Sequence, residues 1–206
     1  MRTRIARLLI AAILVIAGPV GTQAASPKQI DPATMTPPLN PGYAPWTCIL
    51  AGTGITCTGL SDLAYTNEPT DLQCDGQVIY VTGTQTSKTV RWHDLEGRAL
   101  KTSLQTNFSG DRLTFSPTGA GPAVFLSGDW HKHYVYPVPG DLAQRVLTET
   151  GSAMKLRVPG EGVTFRDSGM VTYVPSQEYE IPSLMHGVHD RYTGADLDAL
   201  ICDGLT

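Results

Sequence analysis

Trp46-Thr47-Cys48-Ile49-Leu50-Ala51-Gly52-Thr53-Gly54-Ile55-Thr56-Cys57-Thr58-Gly59 decides the fold. Two strand-like runs flank Gly52-Thr53. A two-residue loop that begins with glycine suits a type II′ hairpin turn. Counting outward pairs Ala51 with Gly54, Leu50 with Ile55, Ile49 with Thr56, and Cys48 with Cys57. The last is a non-hydrogen-bonded pair, where side chains approach most closely. Its spacing suits a cross-strand disulfide.

Two further cysteines remain, Cys74 and Cys202. Their pairing would pin the C-terminus to the body. The alternative joins Cys57 to Cys74 and Cys48 to Cys202. An even cysteine count belongs to an oxidising compartment. Zinc is the competing use, but no C-x₂₋₄-C pair occurs.

The start of the chain supplies that compartment. Arg2, Arg4 and Arg7 precede an apolar run over residues 8–17, then Gly18-Pro19 and the small residues Ala24 and Ala25. A charged start, a short apolar core and a small-residue exit make a cleavable signal peptide over residues 1–25. A spanning helix needs about 20 apolar residues, so no stable membrane span is expected after cleavage. The expected location is secreted and extracellular. Cleavage takes three of the 15 basic residues and none of the 19 acidic ones, so the formal charge moves from −4 to −7. An acidic surface repels phosphate backbones, which argues against a nucleic-acid partner.

Residues 26–45 contain Pro27, Pro32, Pro37, Pro38, Pro41 and Pro45. Such a stretch reads as an extended leader. Residues 46–206 have the size of one β-rich domain. Leu113 and Phe115 alternate with polar neighbours, as do Met154, Leu156 and Val158. That period of two marks strands. Turn signals fall at Asp94 to Gly97, Ser109-Gly110-Asp111, Gly119 to Pro122 and Pro159-Gly160. Asp167-Ser168-Gly169 fits a three-residue hairpin with Gly169 left-handed. The expectation is an all-β fold: an antiparallel sandwich or barrel of about nine or ten strands with one C-terminal helix. Thr193 caps that helix in this reading, and Leu197, Leu200 and Ile201 form its apolar stripe.

The histidines are the candidate chemistry. Between residues 123 and 136 the even positions carry Val124, Leu126, Trp130, Tyr134 and Tyr136, with Lys132 as the exception. The odd positions carry Asp129, His131 and His133. Residues two apart on a strand stand about 6.5–7 Å apart, so one metal ion is within reach of both histidines. His186 and His189, beside Asp190, form a second cluster. His131, His133, His186 and His189 are therefore the candidate metal ligands. The bland reading is a polar strand face and an ordinary loop.

Ser152-Ala153-Met154-Lys155 matches S-x-x-K, but strand alternation points the serine and the lysine to opposite faces. Nucleophile-elbow, phosphate-loop and dinucleotide patterns are absent. Trp46, Trp92 and Trp130 suit either a core or a binding surface.

Gly52-Thr53-Gly54 leading to Cys57, Cys74-Asp75-Gly76, the segment from Ser116 to Pro122, and Pro137-Val138-Pro139-Gly140-Asp141-Leu142 span most of the domain. In these the chain resembles uncharacterised secreted proteins of high-GC Gram-positive bacteria. The resemblance implies an exported domain and no particular activity. The favoured function is a non-enzymatic binding or envelope-associated β-domain, without cofactor, for an extracellular ligand or protein. The alternative is a metal-dependent hydrolase built on the four histidines.

Overall fold

The computed structural model describes residues 26–206; the signal segment, residues 1–25, lies outside them. Eight strands follow one another in sequence and in space: β1 (Thr47–Ala51), β2 (Gly54–Cys74), β3 (Gln77–His93), β4 (Ala99–Thr114), β5 (Val124–Val135), β6 (Val146–Val158), β7 (Gly162–Tyr173) and β8 (Pro182–His189). Every neighbouring pair is antiparallel. One helix, α1 (Leu197–Leu205), ends the chain. The strand order runs from β1 to β8 without a β8–β1 pairing, so the sheet has two edges and is not closed into a barrel.

The first hairpin has the expected register, with Cys48 opposite Cys57 and Gly52 at a φ of 61°. The disulfides are Cys48–Cys57 and Cys74–Cys202.

Eight strands replace the nine or ten expected because two apparent turns are irregularities inside long strands. Ser109-Gly110-Asp111 is a bulge in β4, opposite Ser127 and Leu126 of β5. A bulge carries the same glycine as a turn but bends the strand without ending it. Asp167-Ser168-Gly169 lies within β7, paired on one side to β6 and on the other to β8. Gly169 does have a positive φ, 139°, and stands beside Gly187 of β8 at 115°. A Cβ at either position would meet the backbone of the other strand. The two glycines therefore let the β7 and β8 backbones approach closely at this point.

One face of the sheet is concave. Its cross-strand rows include Cys57, Arg91, Thr102, Tyr134 and Leu147, then Thr89, Leu104, Lys132, Glu149 and Val171. Helix α1 packs against β2, β5, β6 and β7. In a flat sheet β2 and β7 would stand about 24 Å apart, yet both meet a helix only about 14 Å long. The sheet is therefore curled around α1.

The main core fills that curl. Ile79, Leu113, Val124, Leu156, Val158 and Phe165 from the sheet enclose Ile201 and Leu205 of the helix. Burying each such side chain contributes about 2 kcal/mol. That burial sustains a nine-residue helix too short to persist alone. The helix starts one turn later than expected. Asp196 is its cap, accepting from the Ala199 N–H at 3.1 Å, while the Thr193 hydroxyl donates to the Asp190 carbonyl in the turn before it.

The Pro-rich segment carries two 3₁₀ turns, at Pro32–Thr34 and Pro41–Tyr43, and docks on the sheet. Met35 is 3 % exposed and packs with Ile55 and the Cys48–Cys57 bridge. The Ile30 N–H donates to the Cys48 carbonyl and the Leu50 N–H to the Lys28 carbonyl, which extends the ladder beyond β1. Proline composition disfavours self-association of the segment, not its docking on a ready-made edge.

Candidate functional site

β5 places Trp130, Lys132 and Tyr134 on the concave face. The even positions face inward, as the alternation implies. Lys132 breaks the apolar run because an acid waits opposite it: Lys132 pairs in register with Glu149 of β6, and the two charges meet at 3.4 Å. Glu149 is buried and also accepts from the Tyr173 hydroxyl at 2.8 Å and faces the Arg191 guanidinium at 3.5 Å. Arg191 binds Asp167 as well. Asp167, 3 % exposed, accepts from His189 Nδ1 at 2.6 Å. His189 Nε2 lies 3.0 Å from the His186 carbonyl oxygen. Both ring nitrogens thus face oxygen acceptors, the Asp167 carboxylate on one side and the His186 carbonyl on the other. Lys132 and Arg191 balance two buried carboxylates, as buried charge requires.

Burial, the bond from Tyr192 and the bond to Glu149 all push the Tyr173 phenol well above its usual range. It stays protonated and serves as a donor. Burial likewise raises Tyr134, with the Tyr179 phenol beside it.

Against this network lies a pocket of ≈ 320 Å³. Its walls are Trp130, Ala153, Met154 and Phe165 from the sheet, Tyr179 from the β7–β8 loop, and Ala195 and Leu197 at the start of α1. The edge of Phe108 braces Trp130, with ring centroids 5.7 Å apart and planes at 88°. Tyr179 is held by the Lys132 ammonium, which donates to its hydroxyl at 2.6 Å. The neighbouring Glu178 is clamped by two bonds from Arg145 at 2.6 and 2.5 Å. A mostly apolar wall with a few fixed polar groups is the usual make-up of a small-molecule site.

The four candidate metal ligands do not converge. His131 and His133 stack on the convex face, ring centroids 6.1 Å apart. His186 belongs to the cross-strand row of His131, Thr150 and Met170. Three strand spacings separate His131 from His186, about 14 Å, far beyond shared coordination. His189 lies on the other face, bonded to Asp167. Among the described residues no group of three or more His, Cys, Asp or Glu side chains can hold a metal ion. The metal reading places the second cluster in a loop before a helix that folds back over β5. The cluster belongs instead to the end of β8, a strand three places further along the sheet, with β6 and β7 in between. His93 is buried alone, its Nδ1 donating to the Gly97 carbonyl at 2.9 Å.

Ser152 and Lys155 do not point apart as strict alternation implies. A bulge between Ser152 and Met154 resets the register, and both line a shallow depression on the convex face. The Ser152 hydroxyl accepts from Ser168. Trp92 sits half-buried beneath the Lys101 ammonium.

The sequence reading passed over Glu149, Tyr173 and Arg191. Glu149 carried one usable signal: it shares strand parity with Leu147, so an acid stood on a core-facing position. Arg191, in a turn between β8 and α1, carried none.

Among the described residues no helix is long and apolar enough to cross a membrane. No family model matches the chain. No curated protein and no solved structure matches it either.

Proposed function

We propose that this chain is an exported, non-enzymatic binding protein that holds one compact, largely apolar ligand in the pocket between Trp130 and Leu197. The observation that carries the reading is the contrast within that pocket. Its walls are apolar and aromatic, while its charged groups are already bonded to one another. Catalysis needs an acid, base or nucleophile free to react with substrate. Glu149, Asp167 and His189 are each tied to protein partners, and no Ser, Thr or Cys lines the pocket. Two disulfides suit the oxidising compartment to which the N-terminal signal would deliver the chain. The resemblance to secreted proteins of high-GC Gram-positive bacteria agrees with that address. The open sheet favours a sandwich over a closed barrel, with the ligand lodged on the concave face and not in a sealed lumen.

The test is titration with N-phenylnaphthylamine, a neutral apolar dye that fluoresces when sheltered from water. The wild-type protein is expected to enhance its emission saturably with one site. Ala153→Trp, which fills the pocket, is expected to abolish the enhancement while the circular dichroism stays native. No saturable enhancement, or the same enhancement in a folded Ala153→Trp protein, would contradict the reading.

A further inference from the structure

A second pocket, of ≈ 180 Å³, lies on the same concave face towards β1. The 3₁₀ turn at Pro41–Tyr43 and Trp46 close it on one side, Tyr134 and Tyr136 on the other. Arg91 and Thr102 form its floor, opposite each other on β3 and β4.

The floor is electrostatically unfinished. Lys132, Arg145 and Arg191 each have a carboxylate partner. Arg91 has none within ion-pair distance among the described residues. Its Nη1 donates to the carbonyls of Pro37 and Pro38 at 2.9 and 3.3 Å, and its Nε is buried without a partner. The hydroxyl of Thr102, a residue 6 % exposed, is also unpartnered. Burial depresses the Arg91 pKa, and the neighbouring Arg145 adds to this, although the Tyr136 phenol acts the other way. A guanidinium partly withdrawn from water without a carboxylate partner is costly, and the fold sets two carbonyl dipoles against it.

We propose that this pocket is a seat for a small ring compound bearing one carboxylate, with Arg91 as its counter-ion. The planar guanidinium fork matches a carboxylate. One uncompensated positive charge calls for one negative charge, whereas a phosphate monoester brings nearly two. Trp46, Tyr43 and Tyr136 offer aromatic faces for the ring. The volume is below the usual range for drug-sized ligands, so the occupant is small. This site is separate from the pocket beside Trp130, and the two readings stand or fall independently.

Benzoate is the probe, followed by proton–nitrogen correlation spectra of the isotopically labelled secreted protein. The reporters are the Trp46 indole N–H, which donates to the Asn40 carbonyl at 2.9 Å, and the Thr102 amide. Benzoate is expected to shift both saturably. Benzamide, its neutral counterpart, and inorganic phosphate are expected to leave them in place. Arg91→Gln is expected to weaken benzoate binding by about tenfold or more, and Arg91→Lys less. Arg91 also ties down Pro37 and Pro38, so Thr102→Val provides a second variant. It removes a hydroxyl that has no partner, so it should fold as well as wild type and still weaken binding by about threefold or more. The proposal is overturned if benzoate gives no saturable shift, if benzamide or phosphate binds as well, or if a folded Arg91→Gln or Thr102→Val protein binds benzoate undiminished.

Discussion

Asp167 holds two side chains that the fold cannot leave alone. His189 and Arg191 both bond to it beneath the pocket. Asp167→Ala leaves His189 Nδ1 without its acceptor and the Arg191 guanidinium without one of its two carboxylates, in a site from which water is mostly excluded. The expected loss is about 3–5 kcal/mol, read as a lowered urea midpoint. Glu149 remains on the far side of Arg191 at 3.5 Å, which places the expected value at the lower end.

His93 gives a pH prediction with a definite sign. Its ring is 1 % exposed, Nδ1 donates to Gly97, and Nε2 is buried without a partner. A second proton would have no acceptor. Burial therefore holds its pKa below the ordinary 6.5, against the bond to Gly97. The unfolded chain then binds that proton before the folded one does. Stability is full above pH 6.5 and falls as pH drops from there through the depressed folded value. Unfolding titrations of wild type and His93→Gln between neutral and mildly acidic pH check this: the variant is expected to lose less stability across that window.

At this scale the sequence was only partly legible. Strand parity placed Trp130 and Tyr134 inward and His131 and His133 outward. It did not reveal that Lys132 is matched by Glu149, because pairing depends on the register between strands. The four histidines illustrate the same limit. Spacing along the chain brings His131 near His133, but only sheet order says that His186 stands about 14 Å away.

Among elements, β7 and β8 show how a strand can look like a turn. Gly169 has the φ of a turn residue, yet both its neighbours are strands. A Cβ there would fall on the His186 carbonyl oxygen. Gly169→Ala is expected to cost about 3 kcal/mol or more, combining backbone strain with lost pairing, measured by thermal unfolding. Ala at Gly160, in the β6–β7 turn with nothing near its absent Cβ, keeps only the backbone penalty and is the control.

Helix α1 depends on its tether. The Cys74–Cys202 bridge spans 128 residues and the Cys48–Cys57 bridge 9. Chain entropy assigns about 5 kcal/mol to the long loop and about 3 kcal/mol to the short one. Replacing Cys74 and Cys202 by serine together is expected to lower the melting temperature more than replacing Cys48 and Cys57. The short bridge was the more legible of the two, since the Gly52 turn fixes its register within the hairpin. The long bridge followed only by elimination. Bulges and turns share glycine and aspartate, so a bulged strand reads as two; what separates them is whether a third strand pairs alongside.

For the molecule as a whole, the Pro-rich segment changes role. It seals the edge beyond β1, buries Met35, and supplies the carbonyls that hold Arg91. Met35→Ala is expected to cost about 2–4 kcal/mol, although composition alone makes this stretch look dispensable. The curl of the sheet around α1 leaves one face convex and the other concave, with the pocket beside Trp130 on the concave side. Neither the curl nor the loop positions follow from local periodicity, which reports one strand at a time. The class of fold did follow from it: antiparallel strands throughout and one terminal helix.

The most direct test of the binding account is native mass spectrometry of the protein purified from culture medium without denaturation. The account predicts a species heavier than the bare chain by one small molecule, on the order of a few hundred daltons, and its loss in folded Ala153→Trp protein. A bare mass for the wild type after exposure to the medium, or an identical adduct in the filled variant, would contradict it.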